Sequence, residues 1–294
     1  MKLKILSAAL LSAAAGALLA PSAHAQGDVT YTPGDLLLGF EEPGATNNYV
    51  VDLGAPTEFI TLSQSPGTTN LTTTLGLQNA PGGLAADLAS SSGFGSTWYA
   101  TQAFGSNVQW GVFDAISGFG DANLPSIQPD TLFETIAEPV PGTRSTAPAE
   151  HNSSTQDNAS GLFASFAETG FNNETATANS SVATYISSSS ANSWSNYQPS
   201  DNAFTLGYGI EQSTSASNAY VGPTNSELDL YELIPTDEGG TGVAKDLGSF
   251  TLDSAGNLDF TSAAAVPEPS AFATVGLGAA LLLLFRRNRK LLRA

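Results

Sequence analysis

The chain has no cysteine, one methionine and only two histidines in 294 residues. Without thiols it can form no disulfide and no thiolate zinc site, so a packed core must supply its stability. His24 falls in the leader described below, which leaves His151 as the histidine of the remaining chain. A catalytic zinc centre built on two or three histidines is therefore excluded, and no H-E-x-x-H run is present. A Ser-His-Asp triad would have to recruit His151. That residue sits in a stretch rich in Pro, Ser and Asn, and no G-x-S-x-G elbow accompanies it. It reads as an inert loop histidine. There is also no phosphate-binding P-loop and no dinucleotide fingerprint.

Positive charge is equally scarce. The chain has 9 Lys and Arg residues against 27 Asp and Glu, and seven of the nine lie in the terminal segments. Residues 26–265 keep only Arg144 and Lys245 beside 26 acidic residues, which is 26 less 2, a net charge of −24. Nucleic-acid binding needs a positive footprint, and this stretch has none. The charge favours solubility and repulsion from anionic surfaces.

The N-terminus carries Lys2 and Lys4, then an apolar stretch over residues 5–20, then Pro21 and the small-x-small site Ala23-His24-Ala25. These are the three parts of a secretory signal in order. Cleavage by signal peptidase is expected after Ala25, making Gln26 the new N-terminus and residues 1–25 the signal peptide. At the other end, residues 271–285 carry no charge and one polar residue, Thr274. As a helix they would measure about 22 Å, short of the roughly 30 Å hydrocarbon core, a mismatch that bilayer thinning absorbs. Arg286, Arg287, Arg289, Lys290 and Arg293 follow. A basic cluster after an apolar helix stays on the cytoplasmic side, so the preceding domain is expected outside the inner membrane.

Just before that helix stand Val266-Pro267-Glu268-Pro269-Ser270. Each proline biases the residue before it away from helix, which leaves Glu268 in an extended peptide. This motif, the short apolar helix and the Arg-rich end together resemble the PEP-CTERM sorting signal of Gram-negative, exopolysaccharide-producing bacteria. The resemblance covers residues 266–294. It implies recognition at Pro267, Glu268 and Pro269 by a membrane protease-transpeptidase, exosortase. It further implies passage from the inner membrane to the outer surface or extracellular matrix, where exopolysaccharide or biofilm becomes the partner. No cofactor is implied.

The middle, residues 26–265, reads as an acidic β-rich domain. Residues 35–40 and 48–54 are apolar runs bracketing Glu41-Glu42-Pro43-Gly44, a pattern of paired strands. Residues 227–234, 246–252 and 257–261 form a second group, the last two joined by the turn Asp253-Ser254-Ala255-Gly256. Residues 97–104 and 109–115 are aromatic-rich core strands. Residues 58–63 and 70–75 would extend the sheet. Residues 83–90 read as a short helix, with Leu84 and Leu88 on one face. The prolines of residues 125–148 indicate loop, residues 158–168 and 175–188 have helical character, and residues 187–190 look like loop. The whole of 125–199 reads as a loop-rich insertion packed on the sheet. These openings and closings, GDLLLGF, NYVVDLG and LDLYELI, loosely resemble domains attached to such sorting signals. The expected class is mainly β, an antiparallel β-sandwich or jelly-roll-like domain with a few short helices.

The expected function is an exported surface or matrix protein without evident catalytic activity. Two alternatives stay open. A secreted carbohydrate-active enzyme needs only two placed carboxylates, and Trp98, Trp110 and Trp194 could offer sugar platforms. Trp98 and Trp110 also suit a core, and Trp194 a packed loop. A calcium-dependent adhesin or lectin could use Asp253, Asn257 and Asp259, although the ordered D-x-[DN]-x-[DN]-G loop is missing.

Overall fold

The computed structural model describes residues 27–75, 83–99, 108–117, 122, 124–138, 144–148, 152–197, 212–213, 217–218, 222–223, 226–235 and 243–263. The expected signal peptide (residues 1–25), the expected sorting motif (residues 266–270), residues 271–285, the basic tail and His151 all lie outside them. Among the described residues no helix is long and apolar enough to cross a membrane.

The GDLLLGF and NYVVDLG runs form β1 (Leu36–Glu41) and β2 (Asn47–Gly54). They pair antiparallel, as expected, with Phe40 opposite Tyr49. β3 (Thr68–Asn70), β4 (Gln109–Ala115), β5 (Leu132–Ala137) and β6 (Ala183–Ser187) follow. Three two-residue strands come next: β7 (Gln212–Ser213), β8 (Ser217–Asn218) and β9 (Gly222–Pro223). β10 (Ser226–Ile234), β11 (Val243–Leu252) and β12 (Leu258–Ser262) close the domain.

Ten of these strands make one sheet, in the order β3-β12-β11-β10-β5-β4-β1-β2-β6, with β7 beside β4; β8 and β9 pair separately. Every pairing among the described strands is antiparallel. The mainly antiparallel β class is therefore present, as one curled sheet. Two stacked sheets, which a sandwich or jelly roll requires, are not what the hydrogen bonding gives. Helices and loops take the place of a second sheet on each face.

Alternate residues of each strand point to opposite faces. Leu36, Leu38 and Phe40 of β1 join Tyr49, Val51, Trp110 and Phe250 in one core cluster, whereas Leu37 joins Val50, Phe113 and Tyr231 in another. Because both faces are buried, β1 reads as an unbroken apolar run rather than an alternation. The first face is covered by α1 (Pro56–Ser63), α2 (Leu71–Thr74) and α3 (Gly83–Leu88), through Phe59, Leu71, Leu84 and Leu88. The second is covered by α4 (Ser153–Ser165) and a π-helical turn, Phe166–Phe171, through Phe163, Phe166 and Phe171. Trp194, on the four-residue α5 (Trp194–Tyr197), completes that layer.

Several expectations are corrected. Residues 58–63 are helix, not strand: Pro56 sits at the first helical turn, where its fixed φ favours a helix start, and Phe59 turns inward. Of residues 70–75, only the start is strand, since Asn70 caps α2 by accepting from the Thr73 N–H at 2.9 Å. Residues 97–99 are turn, and 100–104 lie outside the described set. Within 125–199, two described segments are sheet strands. They are β5, which pairs with both β4 and β10, and the edge strand β6. The helical reading of 175–188 fails because Ala183–Ser187 is β6, with β-branched Thr184 and Ile186 next to Tyr185. The helical reading of 158–168 holds within a longer element. The helix at 83–90 is found, and Leu84 and Leu88 are both buried.

One irregularity shapes the far half of the sheet. In the β10–β11 pairing, Leu230 faces Gly248 and Tyr231 faces Asp246, so Leu247 is extra. Gly248 has φ of +147°, and a Cβ there would stand 2.3 Å from the Thr261 carbonyl oxygen. Only glycine fits that bulge.

Candidate functional site

The first site is a pocket of about 400 Å³ with mixed polar and apolar lining at the β6 edge, between α3, the 174–179 segment and β6. Asp87, Ser90, Thr175, Thr177, Asn179 and Tyr185 are among its lining residues. Asp87 anchors it. Leu84, Asp87 and Leu88 share the inward face of α3, and Asp87 is 3% exposed. One carboxylate oxygen accepts from Asn179 Nδ2 at 2.6 Å; the other accepts from the Tyr49 hydroxyl at 3.0 Å and the Thr177 hydroxyl at 2.6 Å. A buried carboxylate is tolerable when donors surround it in this way.

Tyr185 is fixed from both sides. Its hydroxyl donates to the Asp87 carbonyl at 2.7 Å, which leaves Ser90 Oγ, 2.9 Å away, as donor to the phenol oxygen. Ser90 in turn accepts from the Gly93 N–H at 3.0 Å. Burial, with the Asp87 charge adding to it, pushes the Tyr185 phenol up to about 12 and the Tyr49 phenol well above the ordinary range. Both stay protonated and both donate.

The second site uses the two cations of the central domain. Arg144 Nη1 bonds to the fully buried Asp229 of β10, and Arg144 Nε lies 3.3 Å from Asp246 Oδ2. The Ser145 N–H donates to the other Asp229 oxygen. The Tyr231 hydroxyl donates to the Ser145 carbonyl at 2.9 Å and accepts from Ser145 Oγ at 3.1 Å. Lys245 reaches Glu232 Oε2 at 3.0 Å. Both cations thus pair with carboxylates of β10, one on each face of the sheet. Arg144 works as a clip that fastens residues 144–148 across the second face.

A third group lies at the end of β1 and β2. Burial, reinforced by the nearby Asp35 charge, raises the Asp52 carboxyl from its ordinary 3.8 to about 7, against a Gly54 N–H bond that lowers it. The folded chain thus holds this proton more tightly than the unfolded chain. The associated stability is complete below pH 4 and is lost as pH rises through 7. Asp52→Asn should therefore stabilise the protein at pH 8 by about 2–3 kcal/mol and change it little at pH 4. Thermal melts of the two chains across pH 4–8 check this; equal differences at both ends would refute it.

The residues singled out from sequence fare differently. Trp98, Trp110 and Trp194 are 4%, 0% and 1% exposed, so none is a surface sugar platform. Asp253 is a turn residue: its carboxylate accepts from the Ala255 and Asn257 N–H groups and from Asn257 Nδ2. Asp259 instead accepts from Asn70 Nδ2 at 2.7 Å. Of the calcium trio, Asp253 and Asn257 bond to each other while Asp259 is engaged by Asn70, and among the described residues no three His, Asp or Glu side chains are grouped to hold a metal. Ala23, Ala25, Gln26, Pro267, Glu268, Pro269 and the basic tail lie outside the described residues.

Comparison with family models, with curated proteins and with solved structures finds no match for this chain.

Proposed function

We propose that this is an exported surface or matrix protein, retained by its C-terminal apolar segment and then sorted by exosortase at Pro267-Glu268-Pro269. Its final place is the outer surface or the exopolysaccharide layer. The observation that carries the reading is the ordered run of Val266-Pro267-Glu268-Pro269-Ser270, the uncharged 271–285 segment and the basic cluster that ends at Arg293. The N-terminal signal with Ala25 at its end supports export. The last strand ends at Ser262, so Val266 follows only four residues later in the chain. A processing enzyme would meet the motif directly beyond the packed domain. The net charge of −24 over residues 26–265 suits a protein released into solvent rather than one adsorbed to an anionic bilayer.

Fractionation and intact-mass measurement in strains with and without exosortase test this. The expected species begins at Gln26, ends near the PEP motif, and leaves the inner membrane only when exosortase is present. Full-length protein in the inner membrane of both strains would overturn the proposal.

A further inference from the structure

We propose that the pocket at the β6 edge binds a neutral, hydroxyl-rich ligand, a short stretch of sugar rings. The proposal deepens the surface-protein reading and rests on it for the source of the saccharide. At about 400 Å³ the pocket is within the range of small-ligand sites. Among the described residues its lining holds no cation, while Asp87 and Glu174 are both acidic. Phosphorylated ligands and uronic acids would be repelled. Among the described residues its apolar lining comes from Ala176, Ala178, the threonine methyls and the Tyr185 ring, scattered between polar groups in the way that suits the C–H faces of a sugar. A cationic ligand would meet only the solvent-exposed Glu174 at the rim, because the Asp87 oxygens already accept from Tyr49, Thr177 and Asn179 and that charge is tied into the protein.

What remains is a wall of hydroxyls, an amide and one aromatic ring, which is the complement of a neutral sugar. Ser92, Glu174 and Thr175 stand exposed at the rim and offer donors and acceptors to sugar hydroxyls. Tyr185 is half-buried and cannot swing freely, since its hydroxyl is bound at both the Asp87 carbonyl and Ser90, and its ring leans on Tyr49 with centroids 5.3 Å apart. A ring held in place before binding loses little entropy on binding. The tryptophans, which the alternative reading offered as sugar platforms, are buried, and the ring at this pocket is Tyr185.

Affinity electrophoresis of the full chain in detergent tests the proposal, in gels cast with dextran, mannan or galactan, and with alginate as the anionic control. Retardation is expected in at least one neutral gel and not in alginate. Tyr185→Ala should weaken it about tenfold. Because Tyr185 also supports the fold, the double variant Ser92→Ala, Thr175→Ala at the exposed rim serves as a second probe. It should keep the parent melting temperature and lose retardation. Free migration in all three neutral gels, stronger retardation in alginate, or undiminished retardation of both variants would overturn the site. Retardation of a protein that stays in the inner membrane regardless of exosortase would leave the site standing and remove the sorting reading; a sorted protein that migrates freely would do the reverse.

Discussion

Replacing Gly39 by alanine should destabilise the protein by about 3–5 kcal/mol, among the largest effects open to a single methyl group here. A Cβ at that position would lie 2.0 Å from two carbons of the Trp194 indole. The indole packs against the β1 backbone at Gly39 and is itself 1% exposed. It is held there by Phe166, whose ring is 5.6 Å away at 68°. A new methyl leaves two exits. Either the sheet and α5 move apart, which is overpacking, or Trp194 leaves its site, which costs what a deleted core tryptophan costs. The measurement is a denaturant titration of Gly39→Ala, Trp194→Ala and the double variant. The double variant should be no less stable than Trp194→Ala alone, since the obstacle is gone. Additive losses would show that the contact is not the cause.

Arg144→Ala should cost a comparable 3–5 kcal/mol, or roughly a 10 °C fall in melting temperature for a chain of this size. Surface ion pairs are worth far less, but Asp229 is fully buried while Arg144 is 23% exposed. Removing the guanidinium leaves a carboxylate in the core with only the Ser145 N–H of its former partners. The penalty comes from that stranded charge. Adding Asp229→Asn to Arg144→Ala should therefore recover much of the loss, which a lost attraction alone would not allow. Arg144→Lys should fall between, because an ammonium cannot reach Asp229 and Asp246 with the spread of Nη1 and Nε. Equal stabilities of Arg144→Ala with and without Asp229→Asn would refute this account.

The strands that could be read from sequence are those with local signals. β1 and β2 flank a Pro-Gly turn, and β11 and β12 flank Asp253-Ser254-Ala255-Gly256, whose hydrogen bonds within the turn are set by Asp253. α3 showed itself through Leu84 and Leu88. What escaped depended on distant partners. β5 is six residues between prolines, Pro129 and Pro139, and becomes a central strand because β4 and β10 accept it on either side. β6 sits in a Ser-, Thr- and Ala-rich stretch whose composition suits several states, and its pairing with β2 decides the matter. β10 carries acidic residues at buried positions for a reason of the same kind: Arg144 and Lys245 meet Asp229 and Glu232 there.

The candidate site was less legible than the fold. Asp87 lies three residues after Leu84 on the same inward face, a buried carboxylate that the spacing alone could have flagged. Its partners Tyr49, Thr177 and Asn179 come from separate parts of the chain, and no local pattern joins them. Gly39 carried no signal of its contact with Trp194, 155 positions away in the numbering, other than being glycine inside an apolar strand.

The pairing of β3 with β12 has a temporal side. Asn70 bonds to Asp259 across 189 positions, and Thr68 meets Thr261 across 193. β3 forms one border of the sheet, and β12, the last strand to be synthesised, lies between it and the rest. The strip at residues 27–29 likewise waits for residues 173–176, which it meets through Val29 N–H to the Glu174 carbonyl. Neither end of the domain can be finished from the sequence that precedes it. Such long closures make folding slow and place it late. A chain whose β3 border waits for residues up to Ser262 cannot complete its sheet until that residue is present. Once it is, β12 can fill the gap beside β3 and complete the domain in one late step.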